Sequence, residues 1–132
     1  MLKKRLTDST VEQHVYNMCR QMDQSMWRPD IVVGLTRGGL VPANMISQYF
    51  DVPLATLDHI CRDWQTSFSN PRHWRYLFNN SVKFAMLIDN ESSKFMYNID
   101  YYGEQIDKSV EDVWIEFPWE VWWESHRDRV YQ

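Results

Sequence analysis

The sequence predicts an α/β fold: one domain over residues 1–132, with a mostly parallel sheet flanked by helices. Three observations carry this. Ile31-Val32-Val33-Gly34-Leu35 is a continuous apolar run with β-branched residues, the pattern of a strand buried on both faces in a parallel sheet. A helical segment, Leu40 to Phe50, separates it from a second short strand at Val52 to Leu57, and strand, helix and strand in that order make a right-handed parallel unit. A chain of 132 residues can bury a core without disulfide staples and is too short for two ordinary domains.

Taken in order, the first element is a helix. Ser9-Thr10-Val11-Glu12 has the form of a capping box. Val11, Val15, Met18, Cys19, Met22 and Met26 follow near 3.6-residue spacing, which predicts a helix from about Thr10 to Met26 with one apolar face. Trp27-Arg28-Pro29-Asp30 breaks it before the first strand. Thr36-Arg37-Gly38-Gly39 is a tight turn, and Pro42 stands in the first turn of the second helix, where proline is tolerated. His59 to Arg75 is polar and aromatic and is expected to be a long loop, of the kind that forms lids. Val82 to Ile88 predicts a third strand, ending at Asp89-Asn90. A further short strand is expected within Ser92 to Tyr102, and another over Val113 to Phe117, stopped by Pro118.

Composition narrows the function. Hydrophobic residues make up 44% and charged residues 24%, as in a soluble globular protein. Lys plus Arg is 14 and Asp plus Glu is 18, a formal net charge of -4, so no broad basic face for nucleic acid or a membrane surface is expected. Lys3-Lys4-Arg5 leads into polar residues and not into an apolar run, and no stretch is long enough to span a membrane, so a cytoplasmic location is expected. Cys19 and Cys61 make no disulfide framework, and no His/Cys pair has zinc-ligand spacing. Trp114, Trp119, Trp122 and Trp123 crowd the last fifth of the chain, which suits a stacking site, a core patch or a homodimer interface.

Three segments carry candidate chemistry. In the first, a buried strand passes through Thr36-Arg37-Gly38-Gly39 into a helix. Free amides at a helix start and a forked guanidinium suit phosphate oxygens, and ligands of open α/β sheets sit at the carboxyl ends of strands. The alternative is a plain strand-to-helix connection. In the second, Asp89-Asn90-Glu91-Ser92-Ser93-Lys94 follows the third strand. An acid there can hold ribose hydroxyls or a hydrated magnesium ion, and Ser92, Ser93 and Lys94 can donate to a phosphate; an ordinary polar turn is the alternative. In the third, Trp114 and Ile115 of Val113-Trp114-Ile115-Glu116-Phe117-Pro118-Trp119 offer a flat wall for a purine, or belong to the core.

In this order the segments resemble one family, the purine phosphoribosyltransferases of the type I fold, and among them the small xanthine-guanine type. Thr36-Arg37-Gly38-Gly39 matches the family's pyrophosphate loop, and Leu40-Val41-Pro42-Ala43 the helix start behind it. Asp89 and Asn90 stand at its central acid pair, and Trp114-Ile115-Glu116-Phe117-Pro118-Trp119 at its base-reading segment. The resemblance covers about Trp27 to Glu120. The chain departs from it after Asp89. Asn90 replaces an acid, and Glu91-Ser92-Ser93-Lys94-Phe95 lacks the Asp-Thr-Gly phosphate loop. Only residues 90–113 separate Asp89 from Trp114, while a βαβ unit takes roughly 30 residues or more. The expectation is a fold truncated between its third strand and the base-reading segment, with no residue assignable to the family's base-reading lysine.

The resemblance implies a glycosyltransferase that moves a phosphoribosyl group from phosphoribosyl pyrophosphate to guanine, xanthine or hypoxanthine in nucleotide salvage, with Mg2+ as cofactor. Thr36, Arg37, Gly38 and Gly39 would then bind pyrophosphate. Asp89 and Glu91 would serve catalysis, with Asp89 also holding the metal. Asn90, Ser92, Ser93 and Lys94 would meet ribose and its 5′-phosphate, and Trp114 and Ile115 the base. The missing phosphate loop keeps a second reading open: a catalytically degenerate protein of this fold that binds a nucleotide or a protein partner.

Overall fold

The computed structural model describes residues 2–57, 82–92, 98–124 and 126. In chain order the elements are β1 (Leu2–Arg5), α1 (Asp8–Gln24), β2 (Val32–Leu35), α2 (Leu40–Phe50), β3 (Leu54–Leu57), β4 (Ala85–Asn90), β5 (Tyr101–Ile106) and β6 (Val113–Glu116), followed by a 3-10 turn at Pro118–Glu120. The strands pair as β1 with β6, β2 with β3 and β4 with β5, and all three pairings are parallel. The α/β fold with parallel strands is therefore as expected. The long loop proposed from His59 to Arg75 lies outside the described residues.

α1 begins two residues before its expected start. Thr7, not Ser9, is the N-cap, and its side chain accepts from the amide of Thr10 at 3.1 Å. Asp8 stands in the first turn, where a negative charge meets the positive end of the helix dipole. The apolar stripe is real: Val11, Val15, Met18, Cys19 and Met22 are all buried. They pack with Leu6, Ile46, Phe50, Leu87 and Tyr101 into one core. Each such side chain contributes roughly 1.5–3 kcal/mol by leaving water. The stripe ends there. Met26, expected on it, is 93% exposed and has left the helix with a φ of 58°.

α1 lies chiefly against β5. Gln21 donates to the Tyr102 carbonyl at 2.9 Å, and the hydroxyls of Ser25 and Tyr101 meet at 2.8 Å. Gly103 makes this close contact feasible, since a Cβ there would run into the Cβ and Cγ of His14.

Four strands differ from expectation. β4 starts at Ala85, later than Val82, and continues through Asp89 and Asn90, because its register with β5 extends to Asn90 opposite Ile106. β5 runs from Tyr101 to Ile106 and overlaps the predicted Ser92–Tyr102 window only at its end; alternation is masked by Gly103, Glu104 and Gln105. β1 was not expected, since Lys3, Lys4 and Arg5 give no apolar alternation. It forms by pairing with β6, and Arg5 reaches Glu116 directly opposite in the register. β2 also falls short of burial on both faces, as Val33 is exposed. No helix among the described residues is long and apolar enough to cross a membrane.

Candidate functional site

The turn at 36–39 sits between the carboxyl end of β2 and the start of α2. Gly39 donates its amide to the Leu35 carbonyl at 2.9 Å, and Leu40 donates to the Arg37 carbonyl at 3.2 Å. The chain thus folds back on β2 so tightly that a Cβ on Gly39 would lie 2.8 Å from the Leu35 carbonyl oxygen. Gly39 is required for that close approach and not for an unusual φ, since no glycine here has positive φ. Gly38 faces open space on its Cβ side, Arg37 is exposed, Thr36 is half-buried, and the Thr36–Arg37 peptide is cis. The exposed guanidinium and open Gly38 are what an incoming anion would meet. The Gly39 amide is already used inside the turn.

The acid-bearing segment is organised differently from its sequence appearance. Asp89 is on β4 and accepts from the Gln105 side chain on β5 at 3.1 Å. Asn90 is bound into the protein. Its side-chain oxygen accepts from the Ser92 amide at 3.2 Å, the Ser92 hydroxyl at 2.8 Å and the Lys108 amide at 3.1 Å. Glu91 is exposed, while its amide donates to the Ile106 carbonyl at 2.7 Å. Ser93 and Lys94 lie outside the described residues. Among the described residues no group of three or more His, Cys, Asp and Glu side chains could hold a metal ion. Magnesium keeps several waters and takes one or two carboxylates along with substrate phosphates; of the two acids considered for it, Asp89 accepts from Gln105 and Glu91 is exposed.

The third segment lies across the loop that joins β5 to β6. Asp107 accepts from the amide and hydroxyl of Ser109, and these bonds hold its carboxyl below the usual carboxylate range. Val110 and Glu111 donate their amides to the Asp107 carbonyl, which completes a tight turn. From it Lys108 extends its ammonium to 6.0 Å from the ring centroid of Trp114. Trp114 is 52% exposed on β6, while Ile115 on the next position packs against the core. Trp119 is half-buried and stacks on Phe117, with centroids 4.9 Å apart and planes 7° from parallel.

The structure therefore joins Asn90, Ser92, Lys108 and Trp114 through a chain of contacts, with Asp89 on the same strand end. Lys108 was not among the residues singled out from the sequence. A lysine in a polar stretch carries no signal of its own; it comes to Trp114 through the fold of the turn that follows β5.

The sequence matches no known protein-family profile and no curated protein. Solved structures do match the fold. A purine phosphoribosyltransferase from Pyrococcus horikoshii Ot3 superposes with a TM-score of 0.69 at 23% identity, over 90% of this chain and 94% of that one. A xanthine-guanine-hypoxanthine phosphoribosyltransferase from Helicobacter pylori gives 0.73 at 16% identity, over 96% and 99%. A hypothetical protein from Neisseria gonorrhoeae with bound ppGpp gives 0.62 at 13% identity, over 91% of each chain. The fold of this chain is that of the type I phosphoribosyltransferases.

Proposed function

We propose that this chain binds an oxopurine on Trp114 and pyrophosphate at the Arg37 turn, and transfers a phosphoribosyl group between them in purine salvage. The observation that carries the reading is the half-exposed Trp114, with a lysine ammonium at its ring, on a fold otherwise found in purine phosphoribosyltransferases. An exposed indole beside Ile115 is a flat apolar platform, and a purine stacked there leaves its polar edge for hydrogen bonding. Lys108, with its ammonium 6.0 Å from the ring centroid, is a cation within reach of such an edge and takes the place of the base-reading lysine that the sequence does not supply.

In the reaction a purine nitrogen attacks C1 of phosphoribosyl pyrophosphate. The bond from C1 to the bridging oxygen breaks, pyrophosphate leaves with that electron pair, and the attacking nitrogen releases its proton to water. Charge accumulates on the leaving group, where Arg37 can stabilise it and the open space beside Gly38 leaves room for its approach. Asp89, with Glu91 two residues on, would hold magnesium by carboxylate oxygens, and the ion would neutralise pyrophosphate charge. Ser92 is a candidate donor to the 5′-phosphate.

A second reading is favoured by two observations. Residues 91–100 alone join the parallel strands β4 and β5, where a dozen or more residues are usual. One protein of similar fold carries ppGpp. On this reading the same face binds a purine nucleotide without turnover.

The test is a product assay with phosphoribosyl pyrophosphate, magnesium and each of guanine, xanthine and hypoxanthine, run beside calorimetric titration with guanosine monophosphate. Nucleotide formation supports transfer. Nucleotide binding without formation supports the second reading. Neither binding nor formation overturns both.

A further inference from the structure

We infer that Asn90 is a positioning residue: its side-chain oxygen fixes the Lys108 amide, and so sets where the Lys108 ammonium stands over Trp114. The inference rests on the proposed function only for the identity of the ligand.

The three donors to Asn90 leave little freedom in its orientation. The amides of Ser92 and Lys108 can only donate, so the group facing both at 3.2 and 3.1 Å must be the carbonyl oxygen and not the amide nitrogen. The Ser92 hydroxyl adds a third bond at 2.8 Å. One atom at the end of β4 therefore ties together the turn that leaves β4 and the loop that leaves β5. The other side-chain lock in that loop is internal: Asp107 accepts from Ser109 and shapes the turn. It does not fasten the turn to the sheet. The bond from Lys108 to Asn90 does, beside the backbone bond from Glu91 to Ile106.

The consequence reaches the ligand face. Lys108 has a long side chain with several rotatable bonds, and an ammonium 6.0 Å from a half-exposed ring is at the outer limit of a cation–π contact. That contact alone is too weak to order the side chain. Fixing its backbone amide removes the movement of the loop itself and leaves only the side chain's own rotations. An acceptor is what the position requires, so aspartate should substitute for asparagine, whereas alanine should release the loop.

Nuclear magnetic resonance of the full chain tests this without any ligand. In the wild type the Lys108 amide should exchange slowly with solvent, and the Lys108 side-chain protons should carry a ring-current shift from Trp114. Asn90→Asp should keep both, and Asn90→Ala should lose both while the resonances of the α1 core persist. Guanosine monophosphate affinity should then fall about tenfold in Asn90→Ala, the worth of one well-placed polar contact, and recover in Asn90→Asp. A fast-exchanging Lys108 amide in the wild type overturns the inference, and that measurement holds even if Asn90→Ala fails to fold. So does a ring-current shift that survives in Asn90→Ala or is lost in Asn90→Asp. A wild type that shows these spectroscopic signs but neither binds guanosine monophosphate nor forms nucleotide refutes the proposed function and leaves the positioning role standing.

Discussion

Trp114 can be removed without opening the core, because half of it already faces water. Trp114→Ala should stay folded and lose about 1–3 kcal/mol of purine binding, the worth of a stacked base. Denaturant melts beside calorimetric titrations check both halves, and unchanged affinity in a folded variant would remove the stacking role. Arg37 is tested by mass action: pyrophosphate should raise the melting temperature of the wild type and raise that of Arg37→Ala much less. Cys19 gives a pH prediction of different origin. It is buried, and burial together with the nearby Asp23 carboxylate pushes its thiol up to about 11 from its usual 9.0. The folded state thus holds a proton that the unfolded state releases earlier. The corresponding stability is present in full below pH 9 and is lost as pH rises toward about 11. Wild type minus Cys19→Ala stability, followed by urea melts across that window, should fall with pH; a flat difference would contradict it.

Both helices end in the same way, and the sequence shows why one end was legible and the other was not. After α1 the Trp27 amide donates to the Met22 carbonyl and the Met26 amide to the Asp23 carbonyl; after α2 Val52 donates to Ser47 and Asp51 to Gln48. Each pattern places one residue in the left-handed region, Met26 at φ 58° and Asp51 at φ 54°. Asp51 followed by Pro53 is readable as a stop, and α2 was predicted at its true limits, Leu40 to Phe50. Met26 reads instead as one more apolar residue on the stripe, so α1 was drawn too long. The strands show the same division. Local apolar runs reveal β2, but β1 exists through a partner more than a hundred residues away, and local pattern cannot register that. In the candidate site, residue types were visible at Arg37, Asp89 and Trp114, whereas the engagement of Asn90 with Lys108 arises only when β4 and β5 align. Met26 also offers a direct gain. A left-handed non-glycine residue costs about 1–2 kcal/mol, and an exposed side chain has little burial to lose. Met26→Gly should therefore stabilise the protein by about 0.5–1 kcal/mol, after the added freedom of the unfolded chain is deducted. A lower denaturation midpoint would show that the Met26 side chain makes stabilising contacts.

Across the whole molecule, the strand that presents Trp114 is held by the other end of the chain. Arg5 reaches a single oxygen of Glu116 through both Nε and Nη2 at 2.6 Å, and Glu116 is only 6% exposed. Arg5→Ala leaves a buried carboxylate without its nearest cation and should lower stability by about 1–3 kcal/mol, discounted toward the lower figure because Arg5 itself is largely in water. A melt of Arg5→Ala beside Arg5→Lys checks this, since a charge without the guanidinium fork should recover only part of the loss. The connection from β4 to β5 sets the expected rate. Residues 91–100 must both leave β4 and return parallel to it as β5, and Asn90 and Ser92 are already bonded to each other at the exit. Ten residues are also fewer than the dozen or more usual between parallel strands. Binding energy from a remote phosphate normally holds the sugar where C1 can be attacked, so its loss lowers turnover as well as affinity. The proposed base and pyrophosphate sites lie on β6 and on the β2–α2 turn, outside residues 91–100. The expected behaviour is thus purine nucleotide binding that survives beside transfer that is magnesium-dependent and well below the roughly 10 per second of an ordinary enzyme. Steady-state measurement with saturating phosphoribosyl pyrophosphate decides it. Turnover at the ordinary level would mean that Ser92 and its neighbours do form a phosphate site, and that the short connection costs catalysis nothing.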